Sequence, residues 1–262
     1  MTNDIYGPFP GRAEFADALT EGQRVRYEQL GANLDVVERR IADACAAVGR
    51  RRAEVTLIVV TKTYPAEDTA LLAGLGVTDV AENRDQDAAP KAERCVQLPL
   101  TWHFVGQLQT NKARSVVRYS DLVHSVDRDR LVDSLAAAVR AAERPPLGCL
   151  VQVALEKEAG EGEHRAGVAP AEVRALADRI ADTPGLRLDG VMTVAPLAGP
   201  LAGDPARAFA RLAEIASDVR AAHPAATMVS AGMSGDLEQA IAAGATHVRV
   251  GTAVLGVRSP LG

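Results

Sequence analysis

Apolar residues in this chain gather in short dense runs, separated by longer stretches in which they recur every third or fourth position. The runs fall at 55–61, 77–81, 101–105, 121–125, 148–154, 187–193, 226–231 and 247–251. Runs of this length bounded by breakers predict strands, and those that show little alternation predict strands buried on both faces, as in a parallel sheet. The stretches between them carry helical spacing. Leu71, Leu72 and Leu75 follow Pro65 and close at Gly76. Leu131, Leu135 and Val139 follow Asp127. Val173, Leu176 and Ile180 form a third set, and Phe209, Leu212, Ile215 and Val219 a fourth, entered by Asp204-Pro205. A further helix opens at Asp236 with Leu237 and Ile241 and ends at Gly244, and weaker patterns lie near 84–95 and 111–118.

Ahead of the first strand, Leu30, Leu34, Val37, Ile41, Cys45 and Val48 predict a leading helix over 23–48, with Gly49 as its cap. Residues 1–22, with Gly7, Pro8, Pro10 and Gly11 and no periodicity, read as a loose tail. Eight strands with seven intervening helices and no long linker predict an α/β chain forming a single (β/α)8 TIM barrel over 23–258. The last helix of that plan is short or missing after Gly256, and the leading helix is expected to cover the gap. A doubly wound open sheet is the competing topology, but no Gly-x-Gly-x-x-Gly follows the first strand.

Composition narrows the function. A net charge of −5 and 3% aromatic residues give no reason to expect nucleic acid. Cys45, Cys95 and Cys149 are widely spaced and the five histidines are scattered, so neither a disulfide framework nor a zinc site is indicated. No apolar segment reaches membrane-spanning length and no signal-peptide pattern opens the chain. The expectation is a soluble, cytoplasmic protein. With no exposed apolar stripe, it is expected to be a monomer.

In a barrel, chemistry gathers just after the strands, at their carboxyl ends. Lys62 directly follows the first run. On position alone it reads as a lysine paired with a carboxylate, but a buried amine there could be neutral and attack a carbonyl. After the seventh run, Ser230, Gly232, Met233 and Ser234 form a small-residue segment whose backbone amides could grip an anion. In the eighth, period-2 alternation puts Arg249 and Gly251 on one face, followed by Thr252. The loops after strands seven and eight are the recurrent phosphate site of this fold. An aldehyde-reactive amine beside a phosphate cup suggests pyridoxal 5′-phosphate (PLP), bound as an internal aldimine on Lys62. Ser234, Gly251 and Thr252 would hold the phosphate, and Arg249 would face the pyridine nitrogen. The same lysine and cup would also suit a Schiff-base aldolase acting on a phosphorylated substrate.

Several segments together resemble a known family. Val59-Val60-Thr61-Lys62-Thr63, Glu82-Asn83-Arg84, Trp102 through Lys112, Ser125-Val126-Asp127-Arg128, Gly190-Val191-Met192-Thr193, Ser230 through Ser234 and Arg249 through Ala253 are similar to the pyridoxal-phosphate homeostasis proteins. These share the barrel of alanine racemase. The resemblance covers roughly residues 25–258. It implies that Lys62 carries PLP and that Asn83, His103 and Met192 line the pocket. It also implies a role in buffering PLP or delivering it to apo PLP-dependent enzymes. The chain departs from the family pattern at Ala81, at Ala154 and at Arg165-Ala166-Gly167. An amino-acid racemase is the alternative activity; in that fold the second base comes from a C-terminal β domain for which this chain is expected to have no room, leaving His103 as the stand-in. Trp102 is expected to pack, and Glu156, Glu158, Glu161 and Glu163 to form a solvated, mobile acidic loop.

Overall fold

A computed structural model describes residues 5–7, 12–156 and 166–256. Eight parallel strands close on themselves: β1 (Thr56–Val60), β2 (Asp79–Glu82), β3 (Thr101–Phe104), β4 (Leu122–Val126), β5 (Leu147–Gln152), β6 (Leu186–Met192), β7 (Met228–Ser230) and β8 (His247–Val250). Each lies within or overlaps an apolar run. Four paired positions join β8 to β1, from Thr56 with His247 to Val59 with Val250, which makes this a barrel and rules out the open sheet. The ring is packed, not hollow. Outward residues such as Leu57 and Val59 meet the helices, while the alternate residues fill the interior.

Helices α3 (Ala66–Gly74), α4 (Asp85–Arg94), α5 (Ala113–Val116), α6 (Asp129–Ala141), α7 (Val173–Ala181), α8 (Pro205–Ala222) and α9 (Leu237–Ala242) follow strands one to seven, and α10 (Thr252–Leu255) is a single turn after β8. One leading helix, α2 (Glu21–Ala47), does cover the gap that this short turn leaves. It starts at a Thr20–Gln23 capping box and buries Leu30, Leu34, Val37, Ile41 and Cys45. Arg26 Nη2 donates to Leu255 O at 3.0 Å and Asn33 Nδ2 to Val254 O at 2.9 Å, tying α2 to α10. The Arg26 guanidinium also clamps the Asp68 carboxylate.

The expectation of a loose 1–22 segment fails for its described residues. Ahead of α2 lies α1 (Arg12–Asp17), and Phe15 is buried against Gly74, where an added Cβ would lie 2.2 Å from the Phe15 ring. Ile5 and Leu19 are buried in the same cluster as Phe15, so a segment with no periodicity of its own is docked by scattered apolar side chains. The expectation of a solvated acidic loop is corrected at Glu156, which is buried at the end of the strand-five segment, while Glu158, Glu161 and Glu163 lie outside the described residues.

Close strand approach also depends on glycine. At Gly190, φ is +153° and a Cβ would stand 1.9 Å from Met228 O, so β6 and β7 can pack this way only with glycine there.

Candidate functional site

Three contacts hold the end of β1. Thr61 is fully buried, and its hydroxyl donates to Glu82 Oε1 at 2.7 Å. Its carbonyl accepts from Tyr64 N at 3.1 Å and from Lys91 Nζ at 2.8 Å. Lys91, from α4, also pairs with Glu82, and both side chains are almost wholly buried. Two residues on, Thr63 has φ of +69°, a left-handed conformation that a β-branched residue adopts only when its surroundings impose it. Lys62 sits between the clamp and this strained residue. Its side chain is exposed, and no described residue forms a hydrogen bond or ion pair with its ammonium. This corrects the expectation of a buried amine: the buried lysine at this corner is Lys91, and Lys62 projects from the carboxyl end of the barrel.

The segments after β7 and β8 reach the same end. Gly251 runs so close to β1 that an added Cβ would lie 3.3 Å from Val60 O, two residues before Lys62. Thr252 and Ala253 open α10 and so have no intrahelical acceptor for their amides, while Val254 and Leu255 already turn theirs back to Gly251 O. Gly232 has φ of +90° and is pressed on α9, where a Cβ would meet Ala240 at 2.6 Å. The Met233 amide is spent on Asp236 Oδ1 at 2.6 Å. The amides of Ser234 and Gly235 have no acceptor among the described residues. Thr252 is exposed and Ser234 half-buried. On the other side of Lys62, Asn83 follows β2, and Gly106 passes so near that its Cβ would lie 2.0 Å from Asn83 O. No described residue bonds the Asn83 carboxamide. Lys62, Asn83, Ser234, Gly251 and Thr252 therefore belong to one mouth.

Other expected site residues lie deeper. Met192 is buried in an apolar interior cluster with Leu122 and Leu150. His103 is 2% exposed and both ring nitrogens are engaged, Nδ1 with His124 Nε2 at 2.8 Å and Nε2 with Asp79 Oδ1 at 2.9 Å. Placing His103 on the pocket wall is therefore corrected: it belongs to the barrel interior. Ser230 is also interior, and its hydroxyl accepts from Arg249 Nη1 at 2.6 Å and meets His124 Nδ1 at 3.0 Å, so it is not free to hold a phosphate. Arg249 is 4% exposed, and its Nη2 donates to Thr193 O at 2.8 Å at the carboxyl end of β6. Burial draws its guanidinium down to about 10, still charged at neutral pH. Burial first, then the neighbouring His103 ring and the Arg249 guanidinium, keeps His124 well below the usual histidine range.

Glu82 belongs to a segment that resembles the family, whereas Lys91, His124 and Asp79 have no expected role. A signal existed for two of them. Lys91 falls beside Ala88 and Ala92 on the buried face of α4, and His124 sits inside the fourth apolar run, in a strand that is buried throughout. Neither spacing says which partner each would meet.

The alanine racemase N-terminal domain family matches residues 30–259. A pyridoxal phosphate homeostasis protein of Pseudomonas aeruginosa is 39% identical over 229 residues, spanning 87% of this chain and 96% of the relative. That of Mycobacterium tuberculosis is 40% identical over 253 residues, spanning 89% and 94%. PipY of Synechococcus elongatus, solved with PLP bound, superposes with a TM-score of 0.70 at 34% identity over 82% of this chain and all of that one. Alanine racemase of Corynebacterium glutamicum, at 13% identity and a TM-score of 0.63 over 90% of this chain and 62% of that one, shares the fold alone. With the barrel, the order of its segments and this extent of identity agreeing, the chain belongs to the pyridoxal phosphate homeostasis protein family.

Proposed function

We propose that this protein binds PLP through Lys62 and takes part in intracellular PLP homeostasis. It would act as a cytoplasmic monomer that buffers the cofactor or delivers it to apo enzymes, without catalysis of its own. The observation that carries this reading is an amine on a clamped, strained turn that no described residue engages, beside backbone amides that have no acceptor among the described residues. PLP supplies an aldehyde, which an amine captures with loss of water, and a phosphate, which takes hydrogen-bond donors. The residues present fit both groups. Lys62 Nζ would make the covalent bond, while Ser234, Gly235, Thr252 and Ala253 offer amides and Gly232 and Gly251 leave room. Arg249 offers its charge to the pyridine ring; a guanidinium there disfavours protonation of the ring nitrogen and so weakens the ring as an electron sink. Relatives named for PLP homeostasis, and PipY solved with PLP bound, support the assignment.

Racemisation needs an acid/base on each face of the substrate. His103 was the only stand-in for the second, and both of its nitrogens are already committed, which supports a carrier over an enzyme. The test is a visible spectrum of purified protein incubated with PLP, then borohydride reduction and peptide mass mapping. The cofactor's mass is expected on Lys62, and Lys62→Ala is expected to remain folded and lose it. Reduction that marks another lysine and spares Lys62 would refute the assignment.

A further inference from the structure

Resting on that reading, we infer that Asp79, His103, His124 and Ser230 form a one-way hydrogen-bonded chain whose purpose is to position Arg249. The links run from Thr193 O at the carboxyl end of the barrel to Asp79 at the first position of β2, near the opposite end. The Asp79 end sets the direction, because a carboxylate only accepts. Arg249 can only donate, so the Ser230 oxygen accepts from it, and the Ser230 hydroxyl hydrogen can go to an unprotonated His124 Nδ1. His124 then carries its proton on Nε2 and gives it to His103 Nδ1. His103 in turn carries its proton on Nε2 and gives it to Asp79 Oδ1.

Asp79 is fit to end the chain. Its other oxygen accepts from Thr78 Oγ1 at 2.6 Å. Burial would raise its carboxyl, but the hydrogen bonds from His103 and Thr78 outweigh that and hold it below the usual carboxylate range. A carboxylate accepts only. With one proton on Nε2 of each imidazole, every hydrogen in the series, the Ser230 hydroxyl's included, has an acceptor; the reverse order would leave the Ser230 hydrogen without one in the series. All four side chains are wholly or largely buried, so water does not compete along the line. A guanidinium held at two nitrogens, by Ser230 and by Thr193 O, has little freedom to turn. These four residues do not touch the cofactor; they act through Arg249.

Two measurements test this. Long-range 15N–1H NMR of the ligand-free protein at neutral pH should show His103 and His124 both neutral and protonated on Nε2. A proton on Nδ1 of either ring would overturn the chain without bearing on PLP binding. The second is a double-mutant cycle on PLP affinity, with borohydride trapping on Lys62 as a check that the covalent bond still forms. Ser230→Ala should weaken PLP by about five- to tenfold, the loss of one charge-assisted bond. In an Arg249→Lys background, where a single ammonium cannot span both anchors, the same change should cost less than about twofold, because coupled residues are not additive. Additive losses would overturn the positioning role. If Ser230→Ala does not fold, Asp79→Asn at the far end is measured against Arg249→Lys in the same way. Wild-type protein that fails to take up PLP would sink the functional reading and with it the role of Arg249, yet leave the tautomers to be judged on their own.

Discussion

Replacing Lys91 by methionine keeps the length of the side chain and removes its charge. The wild-type ammonium is 6% exposed and its partner Glu82 is 1% exposed. Without Lys91, the Glu82 carboxylate stays buried with only the Thr61 hydroxyl on Oε1, and its Oε2 already has no partner. Breaking a buried pair on one side costs about 3–5 kcal/mol, since the remaining charge is desolvated and uncompensated. Loss of the bond to Thr61 O adds about 1 kcal/mol. Against a total stability of about 5–15 kcal/mol this is a large fraction. Glu82→Leu combined with Lys91→Met should recover most of it, because no charge is then stranded. Urea unfolding with a constant slope reads both variants through the shift in midpoint. A single-mutant loss below about 1.5 kcal/mol, or a double mutant no better than the single, would show that water reaches this pair and that it does not clamp the turn. The same experiment bears on function: with Thr61 O released, Lys62 loses a fixed base, so the single variant should also bind PLP more weakly.

Three further outcomes follow from the geometry. Burial holds His247 down to about 4, so between that value and the ordinary 6.5 the unfolded chain binds a proton that the folded chain refuses; its share of the stability, of the order of 2–3 kcal/mol, should be lost as pH drops from 6.5 towards 4, and the gap between urea midpoints at pH 7 and pH 5 should narrow in His247→Gln, with His124 maintaining the remainder. Gly106→Ala puts a methyl 2.0 Å from Asn83 O, so backbone must move at the mouth; a loss of about 1–3 kcal/mol in thermal unfolding and weaker PLP binding are expected, and an unchanged affinity would place Asn83 outside the site. Thr252→Ala should lower PLP affinity by about tenfold in a fluorescence titration through one hydroxyl lost from the phosphate, and no change would count against the phosphate assignment.

Much of the mouth was legible beforehand because a parallel barrel imposes a rule: whatever follows a strand lies at one end. Lys62, Asn83 and Thr252 each follow an apolar run and Gly251 ends one, so their meeting needed only the count of strands and the closure of the ring. His103 and Ser230 show the limit of that rule. Both lie within or at the end of a run, as the motif segments do, yet alternation turns them into the interior, where partners from β2, β4 and β8 occupy their polar atoms.

Local pattern thus determined the elements, their order and the end at which chemistry would collect, because apolar periodicity and turn residues act over a few neighbours. Tertiary structure alone decided which lysine is buried and which is free. Lys62 and Lys91 are 29 residues apart (91 minus 62), and only closure of α4 onto β1 and β2 puts the second against Glu82 and Thr61 O, leaving the first in solvent. Burial and hydrogen-bond partnership are properties of what surrounds a side chain, and the strands that surround these are brought together by barrel closure, not by proximity along the chain.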